Sequence, residues 1–145
     1  MIQVKLEFDS NVEKEVDTNW INIISTYIFN DNNHINANIT IILSNDARLY
    51  ELKKKYFNED LLTDVISFIL EEDGDPIEGE VYISLERIKE NAIRFNQGIE
   101  VEFKRVIIHG CLHLIGFDDQ TDKDKKKMTA LENHYLKYPN ISELI

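Results

Sequence analysis

The chain has 145 residues, of which 43% are hydrophobic and 30% are charged, the composition of a globular protein with one core. Sixteen basic residues against 27 acidic ones give a net charge of −11, which argues against a protein drawn to nucleic acid by its overall field. The single cysteine, Cys111, excludes an intramolecular disulfide, and no apolar run approaches the roughly 20 residues of a membrane span.

The N-terminal half alternates predicted strands and helices. It opens on an alternation of apolar and polar residues that is typical of a strand, and it has no apolar signal-peptide region. We therefore expect a cytoplasmic protein with no membrane partner. The chain length predicts one domain over residues 1–145. The predicted elements, in chain order, are a strand over 2–8, a helix that Asp17 or Thr18 caps and that runs through Ile28, a strand over 36–44, a helix that Ser44 caps and that runs through Tyr56, and a strand over 63–70.

The C-terminal half begins with the one turn-rich stretch, E-E-D-G-D-P-I-E-G at residues 71–79, and then becomes helical. The predicted elements are a strand over 80–84, a helix over 85–97 that ends at Gly98, a helix over 100–115, and a helix over roughly 121–137 that closes before Pro139. Strands mixed with helices, followed by an all-helical final third, predict an α+β domain with a small sheet of about four strands and helices packed on it.

Two histidines stand inside the apolar run R-V-I-I-H-G-C-L-H-L-I-G-F-D-D. Four residues turn a helix by about 400°, so His109 and His113 point the same way, one turn apart. Gly116 lets the chain leave the helix abruptly, so that one of the next two aspartates, Asp118 or Asp119, can approach the rings. Two imidazoles and one oxygen ligand with an open position are typical of catalytic zinc. A histidine pair alone also suits an ordinary core, and it is the glycine followed by acids that favours a metal site.

The residue after the first histidine argues against one common class of metal enzyme. In H-E-x-x-H metalloproteases that position holds the glutamate that acts as general base, whereas here it is Gly110. A metalloprotease of that class is therefore disfavoured. Cys111 points away from the histidine face and is expected to be a small core residue.

The same segment resembles the signature of a known family. H-G-C-L-H-L-I-G-F-D-D is similar to H-G-x-L-H-L-x-G-Y-D-H, the motif of the YbeY family of bacterial metal-dependent endoribonucleases. Upstream, L-K-K-K-Y-F-N-E-D-L-L-T-D-V-I-S-F resembles the family's L-N-x-x-Y-R-G-K-D-x-x-T-D-V-L-S-F, and G-E-V-Y-I-S resembles its G-D-I-x-I-S. The order and length of the predicted elements agree with those of this family along nearly the whole chain.

The resemblance implies a compact α+β fold with a mixed sheet and a zinc-type site on a helix and the turn after it. The metal-ligand positions fall on His109, His113 and Asp119, where the family has a third histidine, so we expect one Zn²⁺ per chain. Because two histidines and a carboxylate also suit iron or manganese, another divalent transition metal stays open. Asp118 is expected to orient a ligand or the turn from outside the ligand set, and Ser67 to line the site.

The implied function is endonucleolytic cleavage of single-stranded ribosomal RNA, in maturation of the small-subunit RNA and in ribosome quality control. Ribosomal RNA and the small ribosomal subunit are therefore the expected partners, and DNA is not. One departure weakens this expectation, because the family's arginine, a partner for RNA phosphate, is Phe57 here and Glu59 replaces a lysine. Arg105 or Arg87 could take its place only if the fold brings them to the site.

Phe57 and Glu59 favour an alternative function, that of a metal-stabilised ribosome assembly factor with little or no cleavage activity. The intact H-G-x-L-H-L-x-G-x-D core favours catalysis instead. A hydrolase for another substrate is a third hypothesis, which the acidic balance permits. The sequence leaves the oligomeric state and the cleaved phosphodiester open.

Overall fold

The computed structural model describes residues 1–9, 12, 18–72 and 76–137. The strands in these ranges are β1 (Ile2–Phe8), β2 (Ala37–Ser44), β3 (Val65–Ile69) and β4 (Ile77–Ser84). The helices are α1 (Asn19–Asp31), α2 (Asp46–Phe57), α3 (Leu85–Arg94), α4 (Ile99–Leu114) and α5 (Asp122–Leu136). Within the described ranges, no helix is both long enough and apolar enough to cross a membrane.

The strands form one four-stranded mixed sheet in the order β1-β2-β4-β3. β1 pairs with β2, and β2 with β4, in parallel, whereas β3 and β4 are antiparallel. β1 and β2 can pair in parallel because α1 carries the chain back to the end of the sheet at which β1 begins. β3 is an edge strand, and the candidate site lies beside it. The expected α+β fold with a small mixed sheet is confirmed.

Helices cover both faces of the sheet. The larger core joins β2 and β4 to α1, α3 and α4, and Tyr135 of α5 contributes to it. The smaller core joins Leu49 and Leu52 of α2 to Ile66 of β3. The neighbouring β3 residues Val65 and Ile66 belong to different cores, which places the two cores on opposite faces of the sheet. α4 therefore lies between the sheet and α5, and contacts α1 and α3 as well.

Three predicted boundaries are wrong. Ser44 does not cap α2, because it is the last residue of β2, and Asn45 instead accepts the hydrogen bond from the backbone N–H of the first turn. The third helix ends at Arg94, and Gly98 is the N-cap of α4 rather than the end of α3. β4 begins at Ile77, inside the stretch predicted as a turn, because that segment pairs with β2.

Asp17 and Pro139 lie outside the described residues, and Thr18, at the N-cap of α1, makes no side-chain capping bond. Cys111 is fully buried, as expected for a core residue. Burial raises the pKa of its thiol to about 11. A thiol of that kind stays protonated and unreactive at neutral pH.

Candidate metal centre and adjoining groove

Helix α4 brings the two histidines of the motif together. The ring centroids of His109 and His113 are 4.5 Å apart, and their Nε2 atoms face each other at 3.0 Å. The helix ends at Leu114, and Gly116 then takes a φ of 102°, a left-handed conformation that glycine adopts without strain. The chain turns back there and carries Asp119 to the rings. Its Oδ2 lies 3.3 Å from Nε2 of His109 and 3.6 Å from Nε2 of His113.

The three side chains fit a divalent metal ion. His109, His113 and Asp119 each offer one donor atom, and these atoms all lie within 4.8 Å of one another. Ligands about 2.0–2.1 Å from a tetrahedral ion lie about 3.3 Å from one another. The observed separations of 3.0, 3.3 and 3.6 Å scatter around that value. The residues predicted as ligands therefore converge with the spacing that such an ion requires.

A buried glutamate, which the sequence analysis did not identify, orients the first histidine. Nδ1 of His109 lies 2.8 Å from Oε2 of Glu132 on α5, and Glu132 is only 7% exposed. Because a carboxylate only accepts hydrogen bonds, Nδ1 carries the proton and Nε2 keeps its lone pair for a metal. Glu132 falls on the face of α5 that buries Met128 and Tyr135. An acid at helical spacing within an apolar face was therefore the available signal.

The two histidines differ in basicity. Burial lowers the pKa of His113, and the neighbouring His109 lowers it further. Burial also opposes protonation of His109, but the hydrogen bond and charge of Glu132 outweigh it, so the pKa of His109 is raised. His113 is thus the ring whose lone pair is available over the wider pH range.

Arg105 lies next to Glu132, on the Nδ1 side of His109. Its Nη1 is 3.0 Å from Oε1 of Glu132, the carboxylate that holds His109, and its Nη2 is 3.3 Å from Oδ1 of Asn133. It lines a cavity of about 100 Å³ together with His109 and the buried Glu102. Burial raises the pKa of the Glu102 carboxyl, and the charge of Asp64 adds to the effect. Arg105 is therefore placed to anchor the acid that orients His109.

Ser67 lies in β3 beside the site, where its hydroxyl donates a hydrogen bond to the carbonyl oxygen of Gly110 at 3.1 Å. A Cβ atom added at Gly110 would lie 2.7 Å from Cγ1 of Val81 and 3.4 Å from Cγ2 of Val65. A glycine between the two histidines thus allows α4 to approach the sheet closely. Ser67 then fixes the helix against β3 at the level of the candidate ligands.

Asp118 occupies the turn next to the ligand position. Its Oδ1 accepts a hydrogen bond from the backbone N–H of Asp119 at 2.8 Å, and its side chain is exposed. Of the two roles expected for Asp118, orienting a histidine or the turn, this contact corresponds to the second. The carboxylate that reaches both rings belongs to Asp119.

The three donor atoms open into a groove of about 510 Å³ that follows β3. Its lining residues are Lys53, Phe57, Glu59, Thr63, Asp64, Val65, Ile66, Ser67, Ile69, His109, His113, Asp118, Asp119 and Gln120. Arg105 is not among them, and neither is Arg87, whose guanidinium pairs with Asp46 at 2.8 Å. Neither arginine therefore supplies the groove with the guanidinium that is missing at Phe57.

Asp64 lines both the groove and the cavity behind His109. Its backbone oxygen accepts a hydrogen bond from the backbone N–H of Ser84 at 3.0 Å, which fixes the start of β3. Burial raises the pKa of its carboxyl, although the charge of His109 works in the opposite direction. Its position beside the histidine was not predicted.

The fold and the site together define a class: an α+β protein with a His-His-carboxylate cluster, suited to a divalent metal ion, at the end of a groove beside an edge strand. Residues 3–140 match the family model described as Endoribonuclease YbeY. Proteins of that name are similar to this chain. The one from Flavobacterium psychrophilum is 40% identical over 143 residues, with 99% of each chain covered, and the one from Christiangramia forsetii is 38% identical over 131 residues, covering 90% of this chain and 88% of that one.

A solved structure agrees with these relatives. The solution structure of a protein from Thermotoga maritima has a TM-score of 0.61 and 26% sequence identity, and it covers 92% of this chain and 87% of that one. The chain therefore belongs to the YbeY endoribonuclease family. The resemblance drawn from the histidine motif is confirmed.

Proposed function

We propose that the protein is a metal-dependent endoribonuclease that cleaves single-stranded ribosomal RNA in the cytoplasm. Its role would be maturation of the small-subunit RNA and ribosome quality control, with residues 1–145 acting as one domain. The observation that carries the proposal is the convergence of His109, His113 and Asp119 at one end of a groove in a chain of the YbeY family.

Each residue of the site has a distinct part in this proposal. His109, His113 and Asp119 hold the ion, and Asp118 positions the turn that carries Asp119. Glu132 keeps the proton of His109 on Nδ1. The bound ion would supply an acidified water molecule and polarisation of a phosphoryl oxygen. Zinc is the expected metal, and the carboxylate in the ligand set keeps iron and manganese as alternatives.

The test begins with elemental analysis of protein purified without added metal. We expect close to one transition-metal ion per chain, together with cleavage of structured ribosomal RNA that stops with a chelator and returns when metal is restored. The His113→Ala variant should lose both the metal and the cleavage. Metal-free protein that shows no cleavage with any divalent transition metal would refute the proposal.

A second candidate function is a ribosome assembly factor that binds metal and RNA but cleaves little. The groove favours it in one respect, because Phe57 stands where the family has an arginine and Glu59 pairs with Lys53 at 3.5 Å. Stoichiometric metal and RNA binding without turnover on any ribosomal RNA substrate would favour this candidate over the nuclease.

A further inference from the structure

We propose that the last turn of α2 forms a base-stacking subsite, in which the ring of Phe57 receives a nucleobase of single-stranded RNA and Lys53 contacts the adjoining phosphate. This inference rests on the proposed function, because it concerns how the same groove holds an RNA strand. It assigns a role to the aromatic residue that replaces the arginine.

The first support is the position of Phe57. It lies in the wall of the groove that contains His109, His113 and Asp119, yet 42% of it is exposed. Its ring packs against Phe68 with centroids 5.8 Å apart and planes tilted by 30°. The ring is thus held in place from one side while a large part of its surface faces the groove. A fixed, exposed aromatic ring loses little freedom when a base stacks on it.

The second support is the cation beside that ring. Nζ of Lys53 lies 4.5 Å from the centroid of Phe57 and 3.5 Å from Oε2 of Glu59. Partly exposed contacts of both kinds are weak, so the ammonium can leave the ring to a base and exchange Glu59 for the adjoining phosphate at little cost. A second cation and ring lie nearby, outside the residues that line the groove, where Nζ of Lys55 is 5.2 Å from the ring centroid of the exposed Tyr56. Cations combined with aromatic rings are typical of surfaces that bind single strands.

The charge of the groove is the third support. Among the described lining residues Lys53 is the only lysine or arginine, whereas Glu59, Asp64, Asp118 and Asp119 are acidic. The whole chain carries −11, so phosphate attraction alone is a poor source of affinity. Stacking is uncharged and accepts every base. An aromatic ring therefore gives this acidic groove a means of holding RNA that does not depend on its field.

The test is equilibrium binding of a short fluorescein-labelled single-stranded RNA to the full chain, measured by anisotropy in chelator so that no cleavage intervenes. Phe57→Ala should weaken binding by about 5- to 150-fold, the usual loss for one stacked base. Phe57→Trp should keep the affinity, and Phe57→Leu, which still packs on Phe68, should lose it. With one lysine contact, the slope of log affinity against log salt should be shallow, about −0.7.

Phe95→Ala is the matched control. Phe95 is also an exposed aromatic residue, 55% exposed and 5.7 Å from the guanidinium of Arg94, but it does not line the groove. Its removal should leave RNA binding unchanged. No RNA binding by the wild-type chain, full affinity of Phe57→Ala or Phe57→Leu, or equal losses in Phe57→Ala and Phe95→Ala would overturn the subsite.

The same variants separate this inference from the proposed function. Metal-dependent cleavage together with binding that is insensitive to Phe57 would overturn the subsite and leave the nuclease standing. Binding that depends on Phe57 in a chain that holds no metal and cuts no RNA would do the reverse. Duplex RNA, whose bases are already stacked, should bind more weakly and equally to the wild type and Phe57→Ala, and an equal fold-loss for duplex and single strand would contradict stacking.

Discussion

The two neighbouring aspartates of the turn differ in what their carboxylates reach. Oδ2 of Asp119 lies 3.3 Å and 3.6 Å from the histidine nitrogens, whereas Oδ1 of Asp118 accepts the backbone N–H of Asp119. A ligand and a residue that only supports its turn should respond differently to truncation. The structure therefore allows the two roles to be separated by single substitutions.

We predict that Asp119→Ala loses most of the bound metal, while Asp118→Ala keeps it with an affinity lower by about 10- to 100-fold. Asp119→His should retain metal, because it supplies the nitrogen ligand that the family uses at this position. Titration against a colorimetric chelator measures all three variants. Metal that survives Asp119→Ala and disappears in Asp118→Ala would assign the ligand to the other aspartate.

Glu132 offers a second prediction at this scale. Its carboxylate holds Nδ1 of His109 at 2.8 Å and is itself held by Arg105 at 3.0 Å. Removing it frees the ring to rotate and to change tautomer, so Glu132→Ala should lower metal affinity by about 10- to 100-fold. Glu100→Ala removes the same charge from an exposed position on α4 and should leave the affinity unchanged. Equal effects of the two variants would mean that charge, and not orientation, is what Glu132 supplies.

At the scale of elements, the close contact of α4 with the sheet requires a glycine, Gly110, at the point of contact. A Cβ at Gly110 would meet Val81 at 2.7 Å, whereas one at Gly98 would meet nothing within 4 Å. Gly110→Ala should therefore lower the free energy of unfolding by about 1–3 kcal/mol through overpacking. Gly98→Ala, at a φ of −66°, should change it by less than about 1 kcal/mol. Urea unfolding compares the two, and an equal loss in both would argue against a tight helix–sheet contact.

A buried tyrosine of α5 contacts α1, and we expect its contribution to the free energy of unfolding to depend on pH. The Tyr135 hydroxyl donates a hydrogen bond to Asp31 at 2.5 Å and accepts one from Asn32 at 3.0 Å. Burial raises its pKa to about 12, and the hydrogen bond to Asp31 adds to this shift. The folded chain thus keeps a proton that the unfolded chain loses from about pH 10 upward. The stabilisation is complete below pH 10 and is lost as the pH approaches 12.

We therefore predict that Tyr135→Phe is less stable than the wild type by about 1 kcal/mol at pH 8. The difference should shrink as the pH rises above about 10, because the wild type then loses the proton-dependent part of its stability. Urea unfolding at a series of alkaline pH values measures it. A difference that stays constant up to pH 12 would show that the hydroxyl proton does not link the two helices.

Local patterns predicted most of the elements because each pattern acts within a few residues. They failed where a partner distant in sequence decides the outcome. Ile77 reads as part of a turn but joins the sheet because β2 lies beside it, and Gly98 suits a helix end as well as a helix start. The candidate ligands could be predicted because two lie on one helix and the resemblance to the family motif selects Asp119 in the turn that follows. Glu132 and Lys53 come from other helices, and only the fold brings Glu132 to His109 and Lys53 to the groove.

At the scale of the whole molecule, the candidate site shares the acidic character of the chain. The net charge of −11 repels RNA, and the one lysine among the described residues that line the groove does not reverse it. A bound divalent ion would change this balance at one end of the groove and tie α4 to the turn after it. Stability is therefore expected to depend on the metal.

Removal of metal should lower thermal stability, because an ion that binds only the folded chain stabilises it by mass action, by about 2.7 kcal/mol at 100 times its dissociation constant. For a chain of this length that corresponds to a rise in Tm of roughly 5–10 °C. Scanning fluorimetry of chelator-treated protein with and without zinc measures the shift. Magnesium controls for general screening of the acidic surface and should give little shift, since it disfavours histidine ligands. The zinc-dependent shift should vanish in His113→Ala. A melting curve that is the same with and without zinc, or an equal shift with magnesium, would mean that the His109–His113–Asp119 cluster does not bind the ion.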